Sequence, residues 1–375
     1  MRDFKQDETA EVLKSATNLL QLAVDKRASD IHLEWLEMKL RVRFRVDGVL
    51  QEVAMFKVEQ GKQLISYLKV QAELDITEKR LPQDGRFERS FGEAHFDFRI
   101  STLPTLHGEK MQLRLLEKNK RLFTLEELEF SPEVLQHLQE LLKLPQGMIL
   151  LTGPTGSGKT TTLYAMLQKI NSIEKNIITI EEPIEYVLAG VNQVAVHEKI
   201  GLSFASILKS CLRQDPDVIL IGEIRDAQSA QIAVRAALTG HLVLATLHTN
   251  YALGAIPRLL DLGIEPLLLS EALRCLVAQR LVRRLCTHCV GEGCKYCGGF
   301  GYFGRLAVQE AVFVNKSMQA MIAQGASQEK LQQYVQEQGG KTLYEDCLAK
   351  IAQGKTTMQE SLKTICFEEQ YVYSS

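Results

Sequence analysis

Eight consecutive residues, Gly153-Pro154-Thr155-Gly156-Ser157-Gly158-Lys159-Thr160, match the pattern G-x-x-x-x-G-K-[ST]. Glycines at these places let backbone N–H groups wrap a run of phosphates, and a helix beginning just after adds its own partial positive charge. In such a cradle Lys159 reaches the β- and γ-phosphates of ATP, the Thr160 hydroxyl binds Mg²⁺, and Thr161 carries the cradle into the helix. A glycine-rich turn with a solvated lysine leaves these special positions unexplained. Downstream, Asp217-Val-Ile-Leu-Ile-Gly-Glu223 is an apolar strand ending in an acid. Glu223 is therefore the candidate general base or water-positioning group, since ligands of α/β sheets bind at the carboxyl ends of strands. Gly222 stands where a magnesium-binding Asp is usual. The acidic segment Glu181-Glu-Pro-Ile-Glu185 follows another strand end, and Glu185 or Glu181 is the alternative base. His241 and His248 flank one buried strand, and we read the two together as sensors of the γ-phosphate.

Metal chemistry is written in the cysteines. Four of the eight lie in Cys286-Thr-His-Cys289 and Cys294-Lys-Tyr-Cys297, and the rest stand alone at Cys211, Cys275, Cys347 and Cys366. Paired C-x-x-C units read as four thiolates around a tetrahedral Zn²⁺. The spacer Val290-Gly-Glu-Gly293 is shorter than in common zinc ribbons, so the two knuckles must form one compact hairpin. His288 lies between two ligands as a possible substitute. The isolated cysteines read as small buried hydrophobes.

These residues need a scaffold, and the chain supplies one. Its 375 residues allow two to three domains. From Gly147 onward short apolar strands at 148–152, 177–180, 218–221 and 242–247 alternate with helices, the pattern of a mainly parallel α/β sheet. Ahead of it, residues 8–27 place Val12, Ala16, Leu19, Leu20 and Ala23 on one helical face. Lys39 to Val46 alternates strictly, with Leu40, Val42, Phe44 and Val46 on one side and Lys39, Arg41, Arg43 and Arg45 on the other. Asp47-Gly48 supplies a hairpin turn. Two further alternations, 94–101 and 111–115, put Arg99 and Arg114 on polar faces. The fold class expected is α/β with an amino-terminal α+β domain, residues 1–118. A linker at 119–125 opens within Glu117–Arg121, and the nucleotide domain follows at 126–285. A cysteine module at 286–304 and a helical subdomain at 305–375 complete the chain.

Charge and hydropathy exclude several classes. With 44 Lys+Arg against 46 Asp+Glu the formal charge is −2, which argues against a generic polyanion binder. No apolar stretch approaches the ~20 residues of a membrane helix. The first residues lack the layout of a secretory signal, so a cytoplasmic location is expected.

Taken in order, Ala28-Ser-Asp-Ile-His-Leu33, Gly153–Thr160, Glu181–Tyr186, Gly222-Glu-Ile-Arg-Asp226, Thr239–Asn250, Gln279-Arg-Leu-Val-Arg-Arg-Leu-Cys286 and the tetracysteine resemble the secretion ATPase superfamily. The likeness is to the assembly ATPases of type II secretion and type IV pili, and it runs from about residue 24 onward. It implies a PAS-like amino-terminal domain, a RecA-like ATPase domain, a zinc module and a helical tail, assembled as a homo-hexamer. It also implies a place on the cytoplasmic face of the membrane, docked on a polytopic inner-membrane platform protein, with ATP turnover driving pilins or pseudopilins. Under the resemblance, Arg99 and Arg114 match arginines that the amino-terminal domain aims at the nucleotide. Glu181–Tyr186 matches the family's Asp box, with Glu182 where Asp is usual, and Thr239–Asn250 its His box. The short chain and compressed cysteine spacer look most like competence-pseudopilus ATPases of Gram-positive bacteria, which build a DNA-uptake apparatus. Two readings from other classes stand beside it. One is a RecA-like nucleic-acid motor using strand 39–45, Arg280-Leu-Val-Arg-Arg284 and the zinc knuckle, although direct nucleic-acid binding is not expected. The other is a scaffold that binds ATP without turnover, which the missing Asp at Gly222 would favour.

Overall fold

The computed structural model describes residues 3–118 and 121–365, with side chains from Lys14 onward. The chain divides into two compact units, Met1–Lys120 and Arg121–Ser375. In the first, the elements are α1 (Asp3–Asp25), β1 (Asp30–Leu36), β2 (Lys39–Val46), β3 (Val49–Lys57), α2 (Val58–Gln71), β4 (Gln83–Phe91), β5 (Ala94–Thr105) and β6 (Gly108–Glu117). The six strands form one antiparallel sheet in the order β3-β2-β1-β6-β5-β4. Period-two alternation gives this sheet one apolar face. Leu40, Val42, Phe44, Phe98, Ile100 and Leu113 are buried there against Ala16, Leu19, Leu20 and Ala23 of α1 and Leu64, Ile65 and Leu68 of α2. Val12 lies outside the described side chains, and Val46 is only partly buried at the margin. Asp47 and Gly48 both have positive φ, 48° and 86°, as a two-residue hairpin turn between twisted strands requires.

The second unit contains α3 (Pro132–Leu141), β7 (Gly147–Thr152), α4 (Lys159–Ile170), β8 (Ile177–Glu181), β9 (Asn192–Ala195), α5 (Phe204–Cys211), β10 (Val218–Ile221), α6 (Ala227–Leu238) and β11 (Leu242–Leu247). Then come α7 (Ala255–Asp261), α8 (Pro266–Ala272), β12 (Leu273–Leu285), β13 (Tyr302–Phe313), α9 (Lys316–Ala323), α10 (Gln328–Glu337), α11 (Leu343–Ala352) and α12 (Met358–Thr364). The sheet order is β13-β12-β7-β11-β10-β8-β9, parallel throughout except for the β12/β13 pair. Central strands are buried on both faces. Met148 and Leu150 face a core shared with α5, α6 and α8, while Ile149 and Leu151 face one shared with α3 and α4. Double burial is why these strands read as continuous apolar runs.

Residues 305–313, expected within a helical subdomain, belong instead to strand β13 of this sheet. Helices do resume at Lys316, and Met318, Ile322, Leu331, Val335 and Leu343 join the core beside α6 and α8. Residues 306–310 are buried on both faces, so no alternation betrays the strand. The cysteine segment is the tip of the long β12–β13 hairpin. Cys211, Cys275 and Cys347 are buried, as small hydrophobes would be; Cys366 lies outside the described residues.

Candidate functional site

The glycine-rich segment joins the carboxyl end of β7 to the start of α4. Gly153, Gly156 and Gly158 all have positive φ, at 143°, 80° and 89°. A Cβ at Gly153 would lie 2.5 Å from the Gln279 carbonyl oxygen, and one at Gly158 would lie 2.7 Å from Gln279 Nε2. Backbone conformation and close packing therefore both require glycine here. The loop is braced from β12. Gln279, 1% exposed, donates from Nε2 to the Ser157 carbonyl at 2.8 Å and accepts at Oε1 from the Thr162 hydroxyl at 2.8 Å.

Lys159 is buried and donates to the carbonyl oxygens of Gly153 at 2.6 Å and Pro154 at 3.1 Å. Burial pulls its ammonium down to about 8, against the raising influence of Glu223 and with a smaller lowering one from Arg280. A desolvated cation held only by carbonyls is primed for an anion. Among the described residues the buried Ser157 hydroxyl has no hydrogen-bond partner. Pro154, Thr155 and Gly156 are exposed, and Thr160 and Thr161 are half-buried at the first turn of α4. These features fit a chain of phosphates, with Thr160 as the hydroxyl available to magnesium.

Parallel register places the other candidates at the same sheet edge. Leu247 pairs with Thr152, so His248 follows β11 beside the loop. His248 Nε2 lies 3.1 Å from Glu223 Oε1, just past the end of β10. Arg225 donates from Nε to Glu223 at 2.8 Å and from Nη1 to Glu182 at 2.7 Å. One network thus joins Glu182, Arg225, Glu223 and His248. Gly222 has a packing reason as well, because a Cβ there would lie 3.1 Å from the Ile180 carbonyl oxygen. Glu181 has a different place from its neighbours. It is buried, accepts from the Thr179 hydroxyl at 2.6 Å and from Gln193 Nε2 at 3.1 Å, and also receives the Tyr164 hydroxyl. Glu185 is exposed in the loop after β8.

His241 does not join this network, which corrects the paired reading of the two histidines. It precedes β11, with its carbonyl bonded to Gly147 N and its ring Nδ1 3.0 Å from the Ala236 carbonyl oxygen. A six-residue strand separates it from His248, roughly 20 Å at the usual strand rise.

In the first unit, Arg99 and Arg114 are directly opposite each other on β5 and β6, on the face turned away from the helices. Arg114 Nε lies 3.2 Å from Asp30 Oδ1, and Arg99 Nε lies 3.5 Å from Asp97. Most of the cations considered for nucleic acid are engaged, while Lys39 is exposed and enters no ion pair among the described residues. Arg41 and Arg43 bind Glu34 at 3.0 and 2.8 Å, holding its carboxyl down to about 2 despite partial burial. Arg283 binds Glu360, Arg284 binds Glu129, and Arg280 donates to the Asn250 carbonyl.

At the hairpin tip the four cysteine sulfurs all lie within 4.8 Å of one another. Neighbouring pairs, Cys286–Cys294, Cys289–Cys297 and Cys294–Cys297, are 3.9, 3.8 and 3.8 Å apart. Thiolates ~2.3 Å from one tetrahedral zinc are separated by about 3.8 Å, so the cluster fits that ion. Backbone amides of Cys294 and Gly301 point at Cys297 Sγ, each at 3.2 Å. Burial, the largest single influence, raises that thiol, yet these bonds together with those from Cys289 and Cys294 bring it down to about 6.

Sequence reasoning missed the role of Gln279 and of Arg225. Both lay inside quoted motifs, but only the sheet order brings β12 against β7 and only the network shows Arg225 between two acids.

The largely parallel sheet, the braced glycine loop and the acids at its edge fit an ATP hydrolase. A family model described as type II/IV secretion system protein matches residues 5–363, and the chain belongs to that family. It is 46% identical over 362 residues to the type II secretion system protein HxcR of Pseudomonas aeruginosa, covering 94% of this chain and 77% of that protein. To the type IV pilus assembly ATPase PilB of Myxococcus xanthus it is 44% identical over 385 residues, covering 95% and 68%. Among solved structures, the pilus retraction motor PilT with bound ADP is similar at a TM-score of 0.64 and 30% identity, over 92% of this chain and 95% of that one. The Legionella pneumophila ATPase DotB shares the fold at a TM-score of 0.72 and 22% identity, over 91% and 92%.

Proposed function

We propose that this chain is a mechanochemical ATPase that works as a homo-hexamer on the cytoplasmic face of the membrane, where it drives assembly of a pilus-like or pseudopilus fibre. The observation that carries the reading is the braced phosphate loop facing the Glu182–Arg225–Glu223–His248 network across one sheet edge. Lys159 holds the terminal phosphates. Glu223 positions and deprotonates the attacking water, and His248 holds that carboxylate in place. Magnesium, when bound at Thr160, neutralises charge on the phosphates. Glu182 takes the Asp-box position, and Glu185 is the reserve base. Arg99 and Arg114 come from a PAS-like amino-terminal domain and stabilise charge developing on the γ-phosphate, a role for guanidinium groups worth roughly 10³–10⁵ in rate in other hydrolases. Zinc at the four cysteines fixes the end of the hairpin. A polytopic inner-membrane platform protein receives the motion, and pilins or pseudopilins are its indirect load. The system served is the competence DNA-uptake apparatus, with no direct nucleic-acid contact, since the basic clusters are paired internally.

The test is magnesium-dependent ATP turnover by the purified chain, with its mass measured with and without a non-hydrolysable analogue. Lys159→Ala should abolish turnover and leave the fold intact. Undiminished turnover in that variant would overturn the assignment of the loop, and a chain that stays monomeric with nucleotide would overturn the hexamer.

A further inference from the structure

Glu181 and Glu182 are adjacent at the end of β8, yet their surroundings are opposite. Glu182 is exposed and paired with Arg225, whereas Glu181 is 3% exposed and enters no ion pair among the described residues. Alternation along the strand puts Glu181 on the same face as Ile177 and Thr179, turned toward α3 and α4. There it takes three donors, the Thr179 hydroxyl at 2.6 Å, Gln193 Nε2 at 3.1 Å and the Tyr164 hydroxyl, as an acceptor-only carboxylate requires. Burying a carboxylate without a cation is costly, and an apolar side chain would fill the same space without that cost. Packing alone does not account for it.

What the carboxylate holds is the acidic loop. Tyr164, on α4, is buried. Burial and the Glu181 charge push its phenol well above the usual tyrosine range, so it remains a donor, while hydrogen bonds from the Glu185 and Tyr186 backbone oppose that rise. Its ring meets that of Tyr186 edge-on, with centroids 6.3 Å apart. From the other side Gln193, on β9, donates to the Tyr186 carbonyl at 3.0 Å and accepts from Leu188 N at 2.7 Å. Residues 182–188 are thus gripped between α4 and β9, with Glu182 and Glu185 left exposed. Tyr164 follows Thr160 by four residues, so the two share a face of α4. The buried pair therefore sets where the acids of the loop stand relative to the helical turn that carries Thr160.

We propose that Glu181 and Tyr164 are positioning residues for ATP hydrolysis, a buried pair that holds the loop bearing Glu182 and Glu185 in register with the Thr160 turn of α4. The assignment removes Glu181 from the candidates for general base, because its oxygens are taken by fixed donors. It rests on the reading that the acidic loop and Thr160 serve Mg²⁺ and ATP. Groups that orient metal-facing carboxylates from behind are worth about 10–100-fold in metal affinity or activity.

The experiment uses the full chain with Tyr164→Phe, Glu181→Gln, the double variant Tyr164→Phe/Glu181→Met and, as a reference, Glu182→Ala/Glu185→Ala, each checked by a thermal melt. For both single variants the expected result is a kcat lower by about tenfold or more, with a KM for ATP within about twofold of wild type. Affinity for a non-hydrolysable ATP analogue in EDTA should be unchanged, while the gain in that affinity on adding Mg²⁺ should shrink by about threefold or more. Tyr164→Phe/Glu181→Met replaces both the charge and its donor by apolar volume, so it should melt at or above Tyr164→Phe yet keep the low kcat. Full turnover in that variant would reduce the pair to packing and overturn the proposal. If both single variants match wild type while Glu182→Ala/Glu185→Ala is impaired, this inference alone fails. Normal turnover in Glu182→Ala/Glu185→Ala overturns the underlying reading and this inference with it.

Discussion

Gln279 on β12 and Ser157 in the glycine loop are joined by a 2.8 Å hydrogen bond between side-chain amide and backbone carbonyl. The same amide oxygen takes the Thr162 hydroxyl, so one buried side chain fixes both the loop and the first turns of α4. A loop whose glycines lack side chains has little else to hold its shape. Its conformation is set from a neighbouring strand.

Replacing Gln279 by Met keeps the volume and removes both hydrogen bonds, leaving a buried carbonyl and hydroxyl unpaired. Each unpaired group costs about 1–3 kcal/mol. Part of that is recovered by local loosening of the loop, so the expected outcome is a folded chain with at least tenfold weaker ATP binding. Equilibrium binding of a fluorescent ATP analogue, alongside a thermal melt, checks it. Unchanged affinity in the folded variant would leave Gln279 a packing residue only.

Arg225 engages Glu223 and Glu182 at once, while His248 takes the other oxygen of Glu223. This carboxylate, the proposed base, is thus ordered before any substrate arrives. Glu223→Gln preserves shape and most hydrogen bonds yet removes the base, so turnover should fall by about 100-fold or more while ATP affinity changes little. Rapid-quench measurement of bound, unhydrolysed ATP reads this directly. If Glu223→Gln turns over normally, Glu185 takes its place as the candidate.

Local signals made the site legible. Three glycines with positive φ and a lysine at fixed spacing are a property of neighbouring residues, and the runs at 148–152, 218–221 and 242–247 announce strands buried on both faces. What stayed hidden depends on register or strand order. Gln279 acts across 122 residues. The β13 strand follows a glycine-rich turn and carries no alternation where it is buried on both faces. His241 and His248 look symmetrical in sequence, yet a parallel strand has one functional end, and His241 sits at the other. A row through Arg86, Arg99 and Arg114 exists only because two separate hairpin registers coincide.

The sulfurs of Cys286, Cys289, Cys294 and Cys297 are spaced for one tetrahedral ion at the tip of the β12–β13 hairpin. Elemental analysis should find about one zinc per chain, and Cys286→Ser should lose it. Because the ligands bind as thiolates, chelation should take up protons and lower the stability of the hairpin end. Amide exchange at residues 285–302 is the readout. A zinc-free chain with unchanged exchange there would show that the short hairpin folds unaided.

Lys159 yields a prediction that depends on the sign of a displaced titration. Burial is the main cause that brings its ammonium from 10.5 to about 8 in the folded chain. Between about pH 8 and 10.5 the unfolded chain therefore holds a proton that the folded chain has released, and stability rises with pH across that window. Below pH 8 both states are protonated, and the penalty, on the order of 3 kcal/mol, is fully present. Lys159→Met should accordingly be more stable than wild type at pH 7, with the difference fading by about pH 10.5. Phosphates placed against the same ammonium favour its charged form. ATP binding at pH 9 should then take up a proton, seen as a calorimetric enthalpy that varies with the ionisation heat of the buffer, while at pH 7 it should not. Lys159→Arg provides the control, because a guanidinium stays charged throughout and its binding enthalpy should be independent of buffer at both pH values. Proton uptake of equal size in wild type and Lys159→Arg would place the titrating group elsewhere and detach Lys159 from the phosphates.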